Sequence, residues 1–121
     1  MSRVVHFEIG IDQPERALRF YSEVFGWKIE KYPGSFDYWL VYTGQDQPGI
    51  DGALAMRGDL NAATVNTIDV PSLEEYSQRV VQMGGQVISP KMPIPGVGYF
   101  AYCLDTEGNR IGILQADPNA H

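Results

Sequence analysis

The strongest constraint on this chain is an internal repeat, one order of elements appearing twice at an offset of about 60 residues within 121. The first half opens with the β-rich run Val4-Val5-His6-Phe7-Glu8-Ile9, continues through Asp12-Gln13-Pro14-Glu15 into an amphipathic stretch, and stops at Phe25-Gly26-Trp27. The second opens with Thr64-Val65-Asn66-Thr67-Ile68, continues through Pro71-Ser72-Leu73-Glu74-Glu75, and stops at Met83-Gly84-Gly85. Asp12 to Glu15 and Ser72 to Glu75 have capping-box spacing, so a helix is predicted after each opening strand. Ala17, Phe20, Tyr21, Val24 and Phe25 share one helical face, as do Leu73, Tyr76, Val80 and Met83, and both stripes are expected in the core.

Three strand candidates follow each helix. In the first half they are Trp27 to Lys31, Tyr38 to Thr43 and Gly52 to Met56, and in the second Gln86 to Ile88, Tyr99 to Leu104 and Arg110 to Gln115. Asp105-Thr106-Glu107-Gly108-Asn109 reads as a tight turn, with Gly108 free to take positive φ. The expected fold is α+β: two tandem βαβββ modules, about 1–60 and 61–118, within a single domain over residues 1–121. One such module leaves the inner face of its sheet bare, so the two are expected to form a partial barrel around a cleft.

Composition narrows the partners. A net charge of −6, spread without runs, and basic residues that form no stripe argue against nucleic acid and anionic membrane surfaces. No apolar run approaches the ~20 residues needed to cross a bilayer, and Arg3 and Glu8 interrupt what would be a signal region. The single cysteine, Cys103, lies in an apolar run and reads as a buried structural thiol. With no intrachain disulfide to form, a reducing, cytoplasmic setting is expected. Exposed sheet edges in so small a chain suggest a homodimer.

His6, the run Pro14-Glu15-Arg16-Ala17-Leu18-Arg19-Phe20-Tyr21, then Val24-Phe25-Gly26-Trp27, resemble the opening of vicinal oxygen chelate proteins, the glyoxalase, bleomycin-resistance and extradiol dioxygenase group. The turn at Asp105 resembles that family's Asp-Pro-x-Gly-Asn turn, with threonine for proline, so the resemblance spans nearly the whole chain. It implies a divalent metal held by one ligand from each of four strands, acting as a Lewis acid. Placed by spacing, those positions fall at His6, near Gly52, at Val65 and at Gly112. Only His6 is a ligand, and Asp51 beside Gly52 is expected to point to the opposite face. A standard metal site is therefore not expected, and no cofactor is predicted. An altered metal site, completed by Asp51 or by another subunit, stays open.

His6 and Glu8 are two apart on a strand and share a face, which suits a general base with its orienting partner or a hydrogen-bonded pair that holds a ligand. Tyr38, Tyr42, Tyr99 and Tyr102, with Trp39, lie on the two strands expected to line the cleft, though alternation lets only about half face inward. Lys91, in the Pro/Gly-rich segment Ser89 to Tyr99, could reach an anionic ligand. Two functions lead at this level, ahead of a purely structural or interaction module. One is a small-molecule binding protein with an aromatic-lined cleft. The other is a lyase, isomerase or dioxygenase-type enzyme of the same superfamily, using an altered metal site or His6/Glu8 acid–base chemistry.

Overall fold

The computed structural model describes residues 2–34, 37–57 and 64–121. Its elements run β1 (Val4–Ile11), α1 (Pro14–Phe25), β2 (Lys28–Lys31), β3 (Tyr38–Tyr42), β4 (Gly52–Met56), β5 (Thr64–Asp69), α2 (Leu73–Gln82), β6 (Gln86–Val87), β7 (Met92–Ile94), β8 (Gly98–Leu104) and β9 (Arg110–Ala116). The fold is α+β, two βαβββ modules in tandem, with β7 added to the second. That extra strand falls in the Pro/Gly-rich segment, where Pro93 pairs with Tyr99 on an edge that needs no further donor from it.

By packing the chain divides into two compact units, His6–Val65 and the residues through Val5 together with Asn66–His121. In the N-terminal module the strand order is β2-β3-β4-β1. The outer pairs are antiparallel, and β1 joins β4 in parallel with Phe7 opposite Gly52 and Glu8 opposite Ala53. In the C-terminal module the order is β5-β9-β8-β6, with β7 also on β8. Here β5 joins β9 in parallel, Thr67 opposite Gly112 and Ile68 opposite Ile113.

Each helix covers one face of its own sheet. Ile11, Val41 and Leu54 form the N-terminal core, with Phe7, Ile9, Ala17, Leu18, Tyr21, Trp27, Ile29 and Trp39 packed against it. Val70, Leu73, Ala101, Cys103 and Ile113 form the C-terminal core, joined by Tyr76, Val80, Tyr99 and Ile111. Because strand side chains alternate, these lists fix which residues face away from the helices.

Several expectations need correction. Gln13, not Asp12, is the N-cap of α1, and no side chain caps that helix. Asp12 instead lies 3.7 Å from Arg57 Nε. Pro14 starts the helix without a wasted donor, and Gly26 ends it at φ 72. In α2 the expected cap forms, with Ser72 Oγ accepting from the Glu75 amide at 3.2 Å. The predicted helical stripes are only half core: Phe20, Val24, Phe25 and Met83 are exposed, whereas Leu18, outside the expected stripe, packs inward. Cys103 is fully buried, and burial raises its thiol pKa. The last turn forms as read, with Gly108 at φ 82 and Asp105 Oδ1 accepting from the amides of Asn109 and Glu107. Those bonds hold the Asp105 carboxyl below its usual range.

Candidate functional site

On β1 the helix-facing residues are Phe7, Ile9 and Ile11, so His6 and Glu8 project from the other face of the N-terminal sheet. On β3 Trp39 and Val41 face the helix, which leaves Tyr38, Leu40 and Tyr42 on the side of His6. The Tyr38 hydroxyl and His6 Nε2 are hydrogen-bonded at 3.2 Å. In the neutral imidazole with its proton on Nδ1, Nε2 accepts this bond from the phenol; with the proton on Nε2, the ring donates to the phenol oxygen and Nδ1 keeps a free lone pair. Both residues are half-buried, and Tyr38 meets Tyr32 edge-on with ring centroids 6.0 Å apart.

Asp51 lies on this same face, contrary to expectation. Leu54 is in the helix-side core, so Gly52, two residues earlier, also faces the helix. A Cβ at Gly52 would lie 2.5 Å from both the Phe7 ring and the Phe7 carbonyl oxygen, which confirms that direction. Continuing the parallel register back by one residue sets Asp51 opposite His6. The Asp51 carboxylate is held by the Thr43 amide at 2.9 Å and the Thr43 hydroxyl at 3.2 Å. Burial lowers the His6 pKa from its ordinary value, while the Asp51 charge pulls it back up. Burial is the larger influence, so the imidazole is neutral at pH 7.

The registers also correct the implied metal positions. Glu8 pairs with Ala53 as Thr67 pairs with Gly112, so the counterpart of Gly112 in the N-terminal module is Ala53, not Gly52. The four positions are His6, Ala53, Val65 and Gly112. Ala53 and Val65 are buried and have no donor atom. At Gly112 a Cβ would come within 2.5 Å of the Phe100 ring, so the glutamate that the resemblance implies would have to displace that ring. Among the described residues no three His, Cys, Asp or Glu side chains come together as a metal cage. These residues do not fit the four-ligand metal of the family.

The remaining candidates lie in the C-terminal module and do not share one face. Ala101 and Cys103 pack toward α2 and Tyr99 with them, so Tyr99 belongs to the helix side. Lys91 Nζ sits 4.4 Å from the Tyr99 ring centroid, a cation–π contact on that same side. Tyr102 faces the other way with Phe100, their rings edge-to-face at 4.8 Å, and Arg110 covers Tyr102 at 5.2 Å. Sequence reasoning missed Phe100 and Ala53. The small residues Ala53 and Ala55 alternating with Leu54 and Met56 along β4 carried the signal for the second.

A family model described as Glyoxalase/Bleomycin resistance protein/Dioxygenase superfamily matches residues 3–113. The chain belongs to this superfamily. No curated protein matches it. Among solved structures, a glyoxalase/bleomycin resistance protein/dioxygenase superfamily member from Vibrio splendidus aligns with TM-score 0.69 at 16% identity, covering 97% of this chain and 100% of that one. Methylmalonyl-CoA epimerase from Mycobacterium tuberculosis aligns with TM-score 0.70 at 12% identity, covering 94% and 87% respectively. A methylmalonyl-CoA epimerase from Streptomyces coelicolor aligns with TM-score 0.67 at 12% identity, covering 98% and 97%. At these identities the superfamily member shares its fold with them, and activity has to be argued from side chains. No helix among the described residues is long and apolar enough to cross a membrane.

Proposed function

We infer that this superfamily member binds a small organic molecule on the His6 face of its N-terminal sheet, without the resident metal used by the family's enzymes. The observation that carries this reading is the half-buried His6–Tyr38 hydrogen bond, set on a face with Leu40, Ala53 and Ala55 and flanked by Glu8 and Asp51. A neutral imidazole and a phenol offer one donor or acceptor each toward a ligand, and the apolar neighbours favour a flat or apolar body. Tyr42, on the same face and 39% exposed, extends that surface.

Two measurements test it. Elemental analysis of untagged protein, before and after dialysis against a chelator, is expected to find far less than one metal per chain. Stoichiometric nickel, zinc, manganese or iron surviving that treatment would sink the metal-free reading. In an amide NMR titration with a set of flat aromatic fragments, shifts are expected at β1 and β3 and are lost in His6→Ala. If the fragments that bind do so equally well to His6→Ala, the assignment of the site fails.

A second reading rests on the neutral state of His6, which suits a general base. With Glu8 or Tyr38 as proton partner, such a base would remove a proton next to an activated carbonyl. The methylmalonyl-CoA epimerases among the structural neighbours make methylmalonyl-CoA the first substrate to try. Deuterium entering methylmalonyl-CoA from heavy water, read by mass spectrometry and abolished by His6→Ala, would favour the enzyme over the binding protein.

A further inference from the structure

The charges on the His6 face of the N-terminal sheet are unevenly matched. Alternation and register place Glu8, Lys28, Glu30 and Asp51 on it, with Arg57 just past the far end of β4. Among the described residues of this face both cations are already engaged. Lys28 Nζ lies 3.3 Å from Glu30 Oε1, and Arg57 Nε lies 3.7 Å from Asp12 while its Nη2 donates to the Gly10 carbonyl at 3.2 Å. Asp51 meets neutral donors instead, the Thr43 amide and hydroxyl, and both reach the same oxygen, Oδ1. Among the described residues Oδ2 of this exposed carboxylate has no hydrogen bond, so it can accept one from a ligand.

The place of that oxygen gives it meaning. Continuing both ladders of β4 back by one residue sets Asp51 between His6 on β1 and Tyr42 on β3. A carboxylate oxygen beside an exposed phenol ring is the surrounding a protonated amine prefers, through a charge-assisted hydrogen bond and the negative face of the ring. An anionic group brought to the same spot meets Asp51 and Glu8 and finds no uncommitted cation among the described residues of this face. The net charge of −6 acts in the same direction at longer range.

We propose, resting on the binding reading of the His6 face, that Asp51 is its specificity-determining residue and selects a flat aromatic molecule carrying a protonated amine. The aromatic body lies over Leu40 and Ala53 against the His6–Tyr38 pair, and the ammonium donates to Asp51 Oδ2 beside the Tyr42 ring. Thr43 serves this by fixing the carboxylate through Oδ1, which leaves the other oxygen toward the ligand. The same body with an alcohol loses the charge, and with a carboxylate it is repelled. Because Asp51 is exposed, the preference is modest and depends on salt.

Amide NMR titrations of the intact chain with three indoles of different side-chain charge test this: tryptamine, tryptophol and indole-3-acetate. At low salt tryptamine is expected to bind about 3-fold or more tighter than tryptophol, and indole-3-acetate more weakly than either. Raising the salt from about 20 mM to about 500 mM should shrink the advantage of the amine. Asp51→Asn should remove that advantage and leave tryptophol binding within about 2-fold of wild type, since asparagine keeps an oxygen for the Thr43 amide. Glu74→Gln, an exposed acid on α2, removes the same charge elsewhere and should preserve the preference. Circular dichroism checks that each variant is folded. Tryptophol binding at β1 and β3 as tightly as tryptamine, a preference that survives Asp51→Asn, or one lost equally in Glu74→Gln would overturn the role of Asp51 and leave the binding face standing. Shifts from none of the three indoles would overturn it too, and the binding face would then stand or fall with the wider fragment set.

Discussion

At positions related by the repeat, the N-terminal sheet carries His6, Glu8, Tyr38 and Asp51 where the C-terminal sheet carries Val65, Thr67, Phe100 and Arg110. The equivalence follows from the registers. Glu8 opposite Ala53 matches Thr67 opposite Gly112, and Tyr38 opposite Ala55 matches Phe100 opposite Leu114. Tyr38 directs its hydroxyl to His6, whereas Phe100 has none and its ring lies over Gly112. Asp51 sets a negative charge beside His6; its counterpart Arg110 is spent on the Tyr102 ring. Two sheets with the same strand pairings thus present one polar face and one packed face. Chemistry in this superfamily member belongs to the side chains, and the shared backbone leaves it undetermined.

Glycine substitutions probe that difference most strongly. At Gly52 a new methyl group meets backbone, the Phe7 carbonyl oxygen, as well as the Phe7 ring. Gly52→Ala should therefore destabilise the chain by about 3 kcal/mol in urea unfolding. At Gly112 the nearest atoms are the far edge of the Phe100 ring, which can rotate aside. Gly112→Ala should cost only about 1–2 kcal/mol, and Phe100→Leu in the same chain should recover part of that loss. Equal costs at the two glycines would contradict this contrast between a backbone neighbour at Gly52 and a movable ring at Gly112.

Smaller effects sharpen the contrast between Tyr38 and Phe100. Tyr38→Phe makes the N-terminal face resemble the C-terminal one and should cost about 1 kcal/mol, the worth of one hydrogen bond. The pH dependence is subtler. The folded protein holds the His6 pKa below its unfolded value, so the unfolded chain binds the proton more readily. Stability contributed by neutral His6 is therefore full above the ordinary imidazole pKa of about 6.5 and falls as the pH drops below it. Unfolding midpoints at a series of pH values should show this decline between pH 7 and 5, and His6→Gln should flatten it. A wild-type midpoint that rises on acidification in that window would show that Asp51, and not burial, governs the imidazole.

The repeat, both helices and all but one strand were legible because they rest on periodicity and turn chemistry, which are local. Ser72 capped α2 as its spacing implied, yet Asp12 did not cap α1: the helix starts one residue later, with Gln13 at the N-cap, and the Asp12 carboxylate lies 3.7 Å from Arg57, far along the chain. The candidate residues were legible in the sequence and their facings were not. His6, Glu8 and Tyr38 stand out as polar groups on apolar strands, but the side taken by Asp51 depends on a parallel register one residue away from the one that spacing suggested. A one-residue slip reverses every facing on a strand. The exposure of Phe20, Val24 and Phe25 was hidden for a related reason: hydrophobicity marks a helical face without saying what covers it.

The parallel pairing of first and last strands also bears on how each module is made. During synthesis β1 leaves the ribosome well before β4, and β5 well before β9, with a helix and the other strands emerging in between. Until the last strand arrives, the edge that will receive it is bare, and the core that Leu54 or Ile113 completes stays unfinished. Closure over so long a stretch of chain is slow compared with hairpin formation. A nascent chain stalled between α1 and β4 would thus hold an apolar, unpaired strand exposed to its neighbours, and this interval is where chaperone contact or aggregation would be decided.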